Sequence, residues 1–416
     1  MSQINNNNEA GGQYDDGYCS NCKKYFDFLK LAYWTDNTYK CPVCFKTVEI
    51  SRYPSELIVL GEIPNSNKPI IIIVLDGLYI AGVQKHCLFL LDSFHDLGFD
   101  TILISLEGGG LWIDMFVKKS SCLVVSNPKL KLTWSSIARL LSSEQINNIR
   151  LFSTHLIAST LWAVNNIPDT FKIFSNLHSE PSEHENFTPE ILDKIINRCN
   201  NIIFPSLGTL ETFVNYSIKF SQNKHKLLIL DNLLYNTEVK IRIKNSQDYV
   251  NIAVVSRIDS DKFSIPLFID TIKILTEKIS NLQIKVAGNG ELYDKLKTAI
   301  KEEQLCHYIY LEGFVMDTSD IYNWATVVFL PSKRESMPYV MVESLAYNIP
   351  IVLPNIGYTI HANKNKLIYP FAVGMANAAA ENIIKATNEH KGDCMNSILV
   401  EKQTWKEKVE ICYLRD

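Results

Sequence analysis

"PIIIIVLDGLYIAGVQKHCLFLLDSFHDLGFDTILISL", from Pro69 to Leu106, holds one repeating unit of architecture. Its aliphatic run, Ile70 to Leu75, is far shorter than the ~20 residues a membrane span needs and suits a buried strand. Val83, Cys87, Leu90, Leu91, Phe94 and Leu97 then recur at helical spacing, and Gly98 supplies the stop. "DTILISL" reads as a second strand. Strand, amphipathic helix and strand in succession make a β-α-β unit, whose strands run parallel.

The same alternation continues outward from this unit. Strands are expected at "CLVVSN", "IRLFSTH", "FKIFSNLH" and "NIIFPS", with helices between them. The pattern lapses over "LYNTEVKIRIKNSQDY" (Leu234 to Tyr249), a polar stretch that reads as an interdomain hinge. A second series follows at "NIAVVS", "LQIKVAG", "YIYLEGF", "TVVFLPS" and "PIVLPNI". The fold class expected is α/β, with two Rossmann-like doubly wound domains facing a cleft. Ligands of such sheets bind beyond the carboxyl ends of the strands. The expected boundaries are a disordered tail over 1–18, a small four-cysteine ribbon over 19–50, domains over 51–235 and 236–390, and a closing helix over 391–416.

At 416 residues the chain exceeds one compact core. A formal charge of −4 and a pI near 6.2 give no global attraction to nucleic acid or anionic lipid. The opening "MSQINNNNEAGGQYDDGY" lacks an apolar signal core, so a soluble, cytoplasmic protein is expected. Four of the ten cysteines form two C-x2-C knuckles, "CSNC" (Cys19, Cys22) and "CPVC" (Cys41, Cys44). Such a pair closes a tetrahedral four-thiolate site, and four thiolates leave no open position, which favours a structural Zn2+. This segment resembles a zinc ribbon, and the second knuckle is similar to rubredoxin, which keeps an iron centre as the alternative. Lys23, Lys24, Lys30 and Lys40 allow a nucleic-acid-binding reading, against which a docking or stabilising role, with a protein partner, is the expectation.

Chemistry concentrates at strand ends. After "NIAVVS", Arg257 and Lys262 flank a loop leading to a helix expected to start near Phe263. Two cations beside a helix N-terminus suit a diphosphate, and solvated loop charges are the plain alternative. Asp259 and Asp261 between them form a D-x-D tripeptide, read as facing solvent or capping the helix rather than binding metal. "AGNGE" and "EGFV" add glycine turns, and Gly82 in "LYIAGVQKH" adds another. His155 and His178 each end a strand, where a lone histidine is a structural hydrogen-bonder or a functional group.

"SKRESMPYVMVESLAYNIP" (Ser332 to Pro350) sets Glu335 and Glu343 eight residues apart around Pro338. On one continuous helix the two would sit roughly 80° apart, but proline belongs in a first turn, so the helix should begin near Pro338. Glu335 then lies at the helix mouth and Glu343 on its flank.

Together "RIDSDK", "AGNGE", "EGFV", "LPSKRESMPYVMVESLAYNIPIVLPNIG" and "AGVQKH" resemble a family 4 glycosyltransferase of the GT-B fold, over roughly Lys68 to the C-terminus. The resemblance implies that Glu335 lies against the donor sugar and that Glu343 bonds the nucleotide ribose. Backbone N–H groups near Ser336, Met337, Tyr339 and Val340 lie close to the donor. Arg257 and Lys262 bind the diphosphate, the Phe314–Val315 loop holds the base, Gly82 approaches the phosphates, and His178 sits on the acceptor side. Glu335 and His178 are the catalytic candidates.

The implied activity is retaining, metal-independent sugar transfer from a nucleotide-diphosphate sugar to a glycan or lipid-linked acceptor, in polysaccharide biosynthesis, with the enzyme also peripheral at a membrane. An epimerase, or a non-catalytic ribbon-led binding protein on a GT-B scaffold, are the rivals. Ala81 stands where the family has the first of two glycines, and Asn348 where a glycine follows the helix. Asparagine is the next-best left-handed residue, so that turn is expected to survive. Tyr358 and His361 occupy places where the family shows a glycine and an acid.

Overall fold

The structure, a computed structural model, describes residues 17–33, 39–44, 46–50, 57–64, 67–78, 81–127, 130, 132–179, 181, 187–232, 234–235, 249–360, 366–389, 399–400 and 402–414. The chain forms two compact units, Met1–Phe152 with Asn166–Phe171, and Ser153–Asn165 with Lys172–Asp416.

The first unit opens with the ribbon. Strands β1 (Gly17–Cys19), β2 (Lys24–Phe26), β3 (Ala32–Tyr33), β4 (Tyr39–Lys40) and β5 (Thr47–Ile50) form an antiparallel sheet in the order β2-β1-β5-β4-β3. Gly17 and Tyr18, expected in the tail, are therefore strand residues, held by pairing to Phe26 and Tyr25 on one side and Ile50 and Glu49 on the other. The rest of the tail lies outside the described residues. Phe28, Leu31, Tyr39 and Val48 make the ribbon's core with Cys19 and Cys41, too few apolar groups to hold a fold alone. The ribbon is seated on its own unit. The Gly110 N–H donates to the Leu29 carbonyl at 2.8 Å, and a Cβ on Gly109 would stand 1.8 Å from that same oxygen.

Behind it, β6 (Ile58–Gly61), β7 (Ile70–Leu75), β8 (Asp100–Ser105), β9 (Cys122–Val125) and β10 (Ile149–His155) lie in the order β10-β7-β8-β9-β6. The β7–β8 and β8–β9 pairs are parallel, while β6 runs antiparallel to β9. Every side chain of β7 is buried, as its unbroken aliphatic run requires. The helix after it spans Gly82–Asp96, and Gly98 takes a φ of 86°, the left-handed conformation that ends the helix cheaply.

Of β10, Ile149–Phe152 belongs to the first unit and Ser153–His155 to the second. There β11 (Lys172–Asn176), β12 (Asn201–Phe204) and β13 (Leu227–Ile229) complete the order β13-β12-β11-β10, with parallel pairs from β11 to β13. Strand β14 (Leu234–Tyr235) pairs with a segment near the chain end, described below. Residues 236–248, which hold most of the expected hinge, lie outside the described residues.

The later sheet contains β15 (Val250–Val255), β16 (Leu282–Ala287), β17 (Ile309–Gly313), β18 (Val327–Phe329), β19 (Ile351–Pro354) and β20 (Ile368–Phe371). Its order, β17-β16-β15-β18-β19-β20, is wholly parallel and reverses direction between β15 and β18. In open α/β sheets such a switch point leaves a crevice at the strand ends, where ligands bind. Ile252, Val254, Ile284, Val286, Val327, Phe329 and Val352 bury the sheet against helices carrying Phe268, Ile272 and Ile383.

Strand β21 (Leu399–Val400) is the parallel partner of β14, and the closing helix spans Lys402–Tyr413. Trp405, Val409 and Tyr413, at helical spacing, are buried, and the Tyr413 ring stacks on Phe174 of β11 at 5.7 Å. Lys408 pairs with Asp231 at 3.2 Å. These contacts, together with Asn232 Nδ2 donating to the Met337 carbonyl at 2.7 Å, tie the strands from Lys172 onward to the later part of the chain within the second unit. Among the described residues no helix is long and apolar enough to cross a membrane.

Candidate active site

In the second unit, the loops after β15 and β18 meet at the switch point. Phe263 bridges to Ser332, the Lys333 N–H donates to the Lys262 carbonyl at 2.8 Å, and the Ser264 N–H donates to Pro331. The helix after the first loop therefore begins at Ile265, with Ser264 as its cap, two residues later than expected; Phe263 is spent on the bridge and is itself buried.

Arg257 Nη1 lies 2.7 Å from Asp259 and Nη2 lies 3.5 Å from Asp261. Asp261 is exposed, as expected. Asp259 is not: its side chain is buried, and its second oxygen accepts the Glu291 N–H at 3.0 Å. Burial raises its carboxyl above the ordinary range, and the Arg257 charge opposes that rise. The solvent-facing or helix-capping reading thus fails for Asp259, which instead pins the "RIDSDK" loop to "AGNGE". Gly290 is required there, since a Cβ would come 2.3 Å from the Asp259 carboxylate.

The Tyr339–Ala346 helix begins where the proline predicts, with Pro338 as the N-cap residue at φ −69° and ψ 133°. Met341, Val342 and Leu345 bury its inner face, and Asn348 closes it at φ 57°, the left-handed turn expected of it. Glu335, in the loop before, is buried. Its carboxylate accepts Ser332 Oγ at 2.7 Å and Lys262 Nζ at 3.2 Å. Glu343, half-buried within the helix, accepts the Tyr322 hydroxyl at 2.6 Å. Burial and the Glu343 charge hold that phenol well above its usual range, so it stays a donor. The two acids therefore live in different surroundings, one with a cation and a hydroxyl, the other with a phenol that stacks on Tyr347 at 5.3 Å.

Ser336 Oγ donates to the His178 carbonyl at 2.5 Å, which brings the end of β11 to the same helix mouth. Desolvation pushes the His178 imidazole down to about 4, so the ring is neutral near pH 7. Gly357, at φ 56°, fits under the loop, for a Cβ would stand 2.2 Å from the Glu335 carbonyl. Met337 and Tyr339 bury their side chains, so they can offer only backbone to a ligand, while Val340, Phe314 and Val315 are half-buried. Gly82 opens its helix in the first unit. Tyr358 lies in the short Gly357–Ile360 turn, and His361 lies outside the described residues. Tyr322 and Asn232 carry no signal of their own in the sequence, since their partners lie 21 and 105 residues away, beyond local periodicity; Ser332 meets Glu335 within one loop, where no regular spacing marks the pair.

In the ribbon, Cys19 Sγ and Cys44 Sγ are 3.5 Å apart, Cys22 Sγ and Cys41 Sγ 3.8 Å, and all four sulfurs lie within 4.8 Å of one another. A tetrahedron with Zn–S bonds of about 2.3 Å has edges of about 3.8 Å, so the donor set fits a zinc-sized ion. The N–H groups of Cys22 and Val43 point at the Cys19 and Cys41 sulfurs at 3.4 Å.

Residues 236–395 match the family Glycosyl transferases group 1. Among curated proteins, an uncharacterized glycosyltransferase of Haemophilus influenzae is 29% identical over 83 residues, covering 20% of this chain and 24% of its own. Another, from Methanocaldococcus jannaschii, is 27% identical over 127 residues, covering 30% of each. The matches thus span about a quarter to a third of those relatives' length. Among solved structures, Anabaena HepE in complex with UDP and glucose aligns with a TM-score of 0.66 at 14% identity, over 82% of this chain and 98% of that one. TarM aligns with a TM-score of 0.59 at 13% identity, over 84% and 96%. A Rickettsia africae glycosyltransferase aligns with a TM-score of 0.58 at 14%, over 84% and 95%. The fold is the α/β GT-B fold, and residues 236–395 are a glycosyltransferase group 1 domain.

Proposed function

We propose that the protein is a retaining glycosyltransferase of the family 4, hexosyltransferase type, which moves a sugar from a nucleotide-diphosphate sugar to a glycan or lipid-linked acceptor at the cytoplasmic side of polysaccharide biosynthesis. The observation that carries the reading is the contact of Lys262 with the buried Glu335 carboxylate at 3.2 Å, beside the start of the Tyr339–Ala346 helix. A cation, a carboxylate and a helix N-terminus at a sheet's switch point form a site for a diphosphate joined to a polar, uncharged group. UDP in the HepE complex supports uridine as the base.

In this mechanism Arg257, Lys262 and the helix N–H groups neutralise the departing diphosphate as positive charge grows on the sugar. A guanidinium has five N–H donors and an ammonium three, so their carboxylate contacts do not exhaust them. Asp259 and Asp261 both engage Arg257, which supports chemistry without a metal at the donor. Residues 236–390 would be the nucleotide-sugar domain, with Phe314 and Val315 at the base, and residues 51–235 the acceptor domain. The ribbon holds a structural Zn2+ through Cys19, Cys22, Cys41 and Cys44; such an ion supplies folding energy.

Kinetics of two variants test the reading. Glu335→Ala should lower kcat far more than nucleotide affinity, because charge develops where Glu335 meets the sugar. Glu343→Ala should raise the donor KM and weaken nucleoside diphosphate binding by ~1.5 to 3 kcal/mol, the range for a hydrogen bond to a charged group. A wild-type turnover rate in the first variant, or wild-type nucleotide affinity in the second, refutes that glutamate's role. Product analysis without acceptor distinguishes transfer from epimerisation.

A further inference from the structure

The chain from Ser336 to Pro338 crosses the mouth of the Tyr339–Ala346 helix with few backbone bonds of its own. Pro338 has no N–H, and among the described residues nothing accepts the N–H groups of Ser336 and Met337. What holds the segment comes from far along the chain. Ser336 Oγ donates to the His178 carbonyl at 2.5 Å, and Gly357 packs beneath the Glu335 and Ser336 carbonyls. The Met337 carbonyl lies outside the helix ladder, which opens with the Met341 N–H donating to Pro338 at 3.0 Å. Its partner is Asn232, 105 residues earlier. Asn232 Nδ2 donates to that carbonyl at 2.7 Å, and the Asn232 N–H points at Met337 Sδ at 3.3 Å.

Asn232 is 5% exposed, and its Oδ1 is buried without a hydrogen-bond partner. A carbonyl only accepts, so the amide nitrogen must face Met337 and the oxygen must stay unpaired. An unpaired buried acceptor costs stability, and leucine, of nearly the same shape, would remove that cost. Packing alone therefore gives no reason for an amide here; what the amide supplies is the hydrogen that the Met337 carbonyl receives. We propose that Asn232 is a positioning residue of the donor site, which pins the Met337 carbonyl and so holds the Ser336 and Met337 N–H groups in place for the nucleoside diphosphate. The inference rests on the reading of this helix mouth as the donor site. The bond to Asn232 fixes the Met337–Pro338 peptide, and the proline ring fixes the next angle, φ −69°, so the chain enters the helix in one direction. Donors held in place before the ligand arrives lose no freedom when it binds. Glu335 is fastened separately, through Ser332 and Lys262, so loss of Asn232 should weaken nucleotide binding and spare the chemistry at the sugar.

Asn232→Leu keeps the volume and removes the donated hydrogen. Two measurements on the full chain read the effect, one of them without ligand. Hydrogen exchange at Met341, whose N–H donates to Pro338, should quicken about tenfold, while exchange at Tyr347, whose N–H donates to Glu343 at the far end of the helix, keeps its wild-type rate. Calorimetric titration with uridine diphosphate should give an affinity about tenfold weaker, and the donor KM should rise by the same factor at nearly unchanged kcat. The unfolding temperature should stay within about 4 °C of wild type, because the unpaired Oδ1 disappears as the Met337 carbonyl loses its partner. Asn232→Ala should weaken uridine diphosphate binding to the same degree, whatever the variant costs in stability. Wild-type exchange at Met341, or wild-type uridine diphosphate affinity accompanied only by a lower unfolding temperature, overturns the proposal. Faster exchange at Met341 in a chain whose wild type binds no uridine diphosphate would uphold the pin and refute the donor reading.

Discussion

Glu107 directly follows the strand turn after β8, two residues before the glycine that receives the ribbon, and its N–H donates to the Asp76 carbonyl at 2.7 Å. Burial first, and the negative charge of Asp76 second, push its carboxyl from an ordinary 4.5 up to about 7. The sign follows from proton counting. Between those two values the folded chain binds a proton that the unfolded chain has released, so stability is present below pH 4.5 and is lost as pH rises through 7. At 1.36 kcal/mol per pH unit, the interval corresponds to about 3 kcal/mol. Glu107→Gln keeps the shape and removes the ionisation. The variant should match wild type near pH 4.5 and exceed it by about 3 kcal/mol at pH 8, or roughly 6 to 12 °C in the transition of a unit this size. Thermal and denaturant unfolding of the full chain at both pH values reads this. Other titrating groups, His178 and Asp259 among them, are common to both proteins and cancel in the difference. A gap that does not change with pH would refute the buried-carboxyl argument.

Three further outcomes are expected. Cys41→Ser should lose the ribbon's zinc on metal analysis, and because Leu29 accepts the Gly110 N–H, hydrogen exchange should quicken at Gly110 as well as within the ribbon; unchanged metal content refutes the ligand set. Gly109→Ala drives a Cβ against the Leu29 carbonyl, a backbone atom that cannot swing away, and should destabilise the first unit by ~1 to 3 kcal/mol with zinc content intact; a neutral effect in unfolding experiments would show that the ribbon is not seated there. Sugar transfer should proceed without added divalent metal and survive brief chelator exposure that leaves the ribbon zinc in place; its loss under that condition would show that Asp259 and Asp261 bind a metal after all.

Local signals in the chain determined much of this protein. The aliphatic run at Ile70, the stop at Gly98, the helix start at Pro338 and the left-handed Asn348 each act through their own backbone or one turn of it, so their reading needs no partner. The paired knuckles are legible for the same reason, since metal geometry demands a spacing that survives in the linear chain. Edge strand β6 escaped because a short, half-buried run of four residues has no periodicity of its own and exists only by pairing to β9. The environment of each site residue was likewise decided in three dimensions. Asp259 looked like a loop acid until the Glu291 N–H and Arg257 enclosed it, and Glu343 acquired its phenol from Tyr322 on another helix. Tyr413 reaches Asn176 across 237 residues, a contact that helical spacing marks only as buried. Secondary structure follows from interactions a few residues long, whereas burial, charge pairing and proton placement depend on which distant groups the packed sheets bring within 3 Å or so of one another.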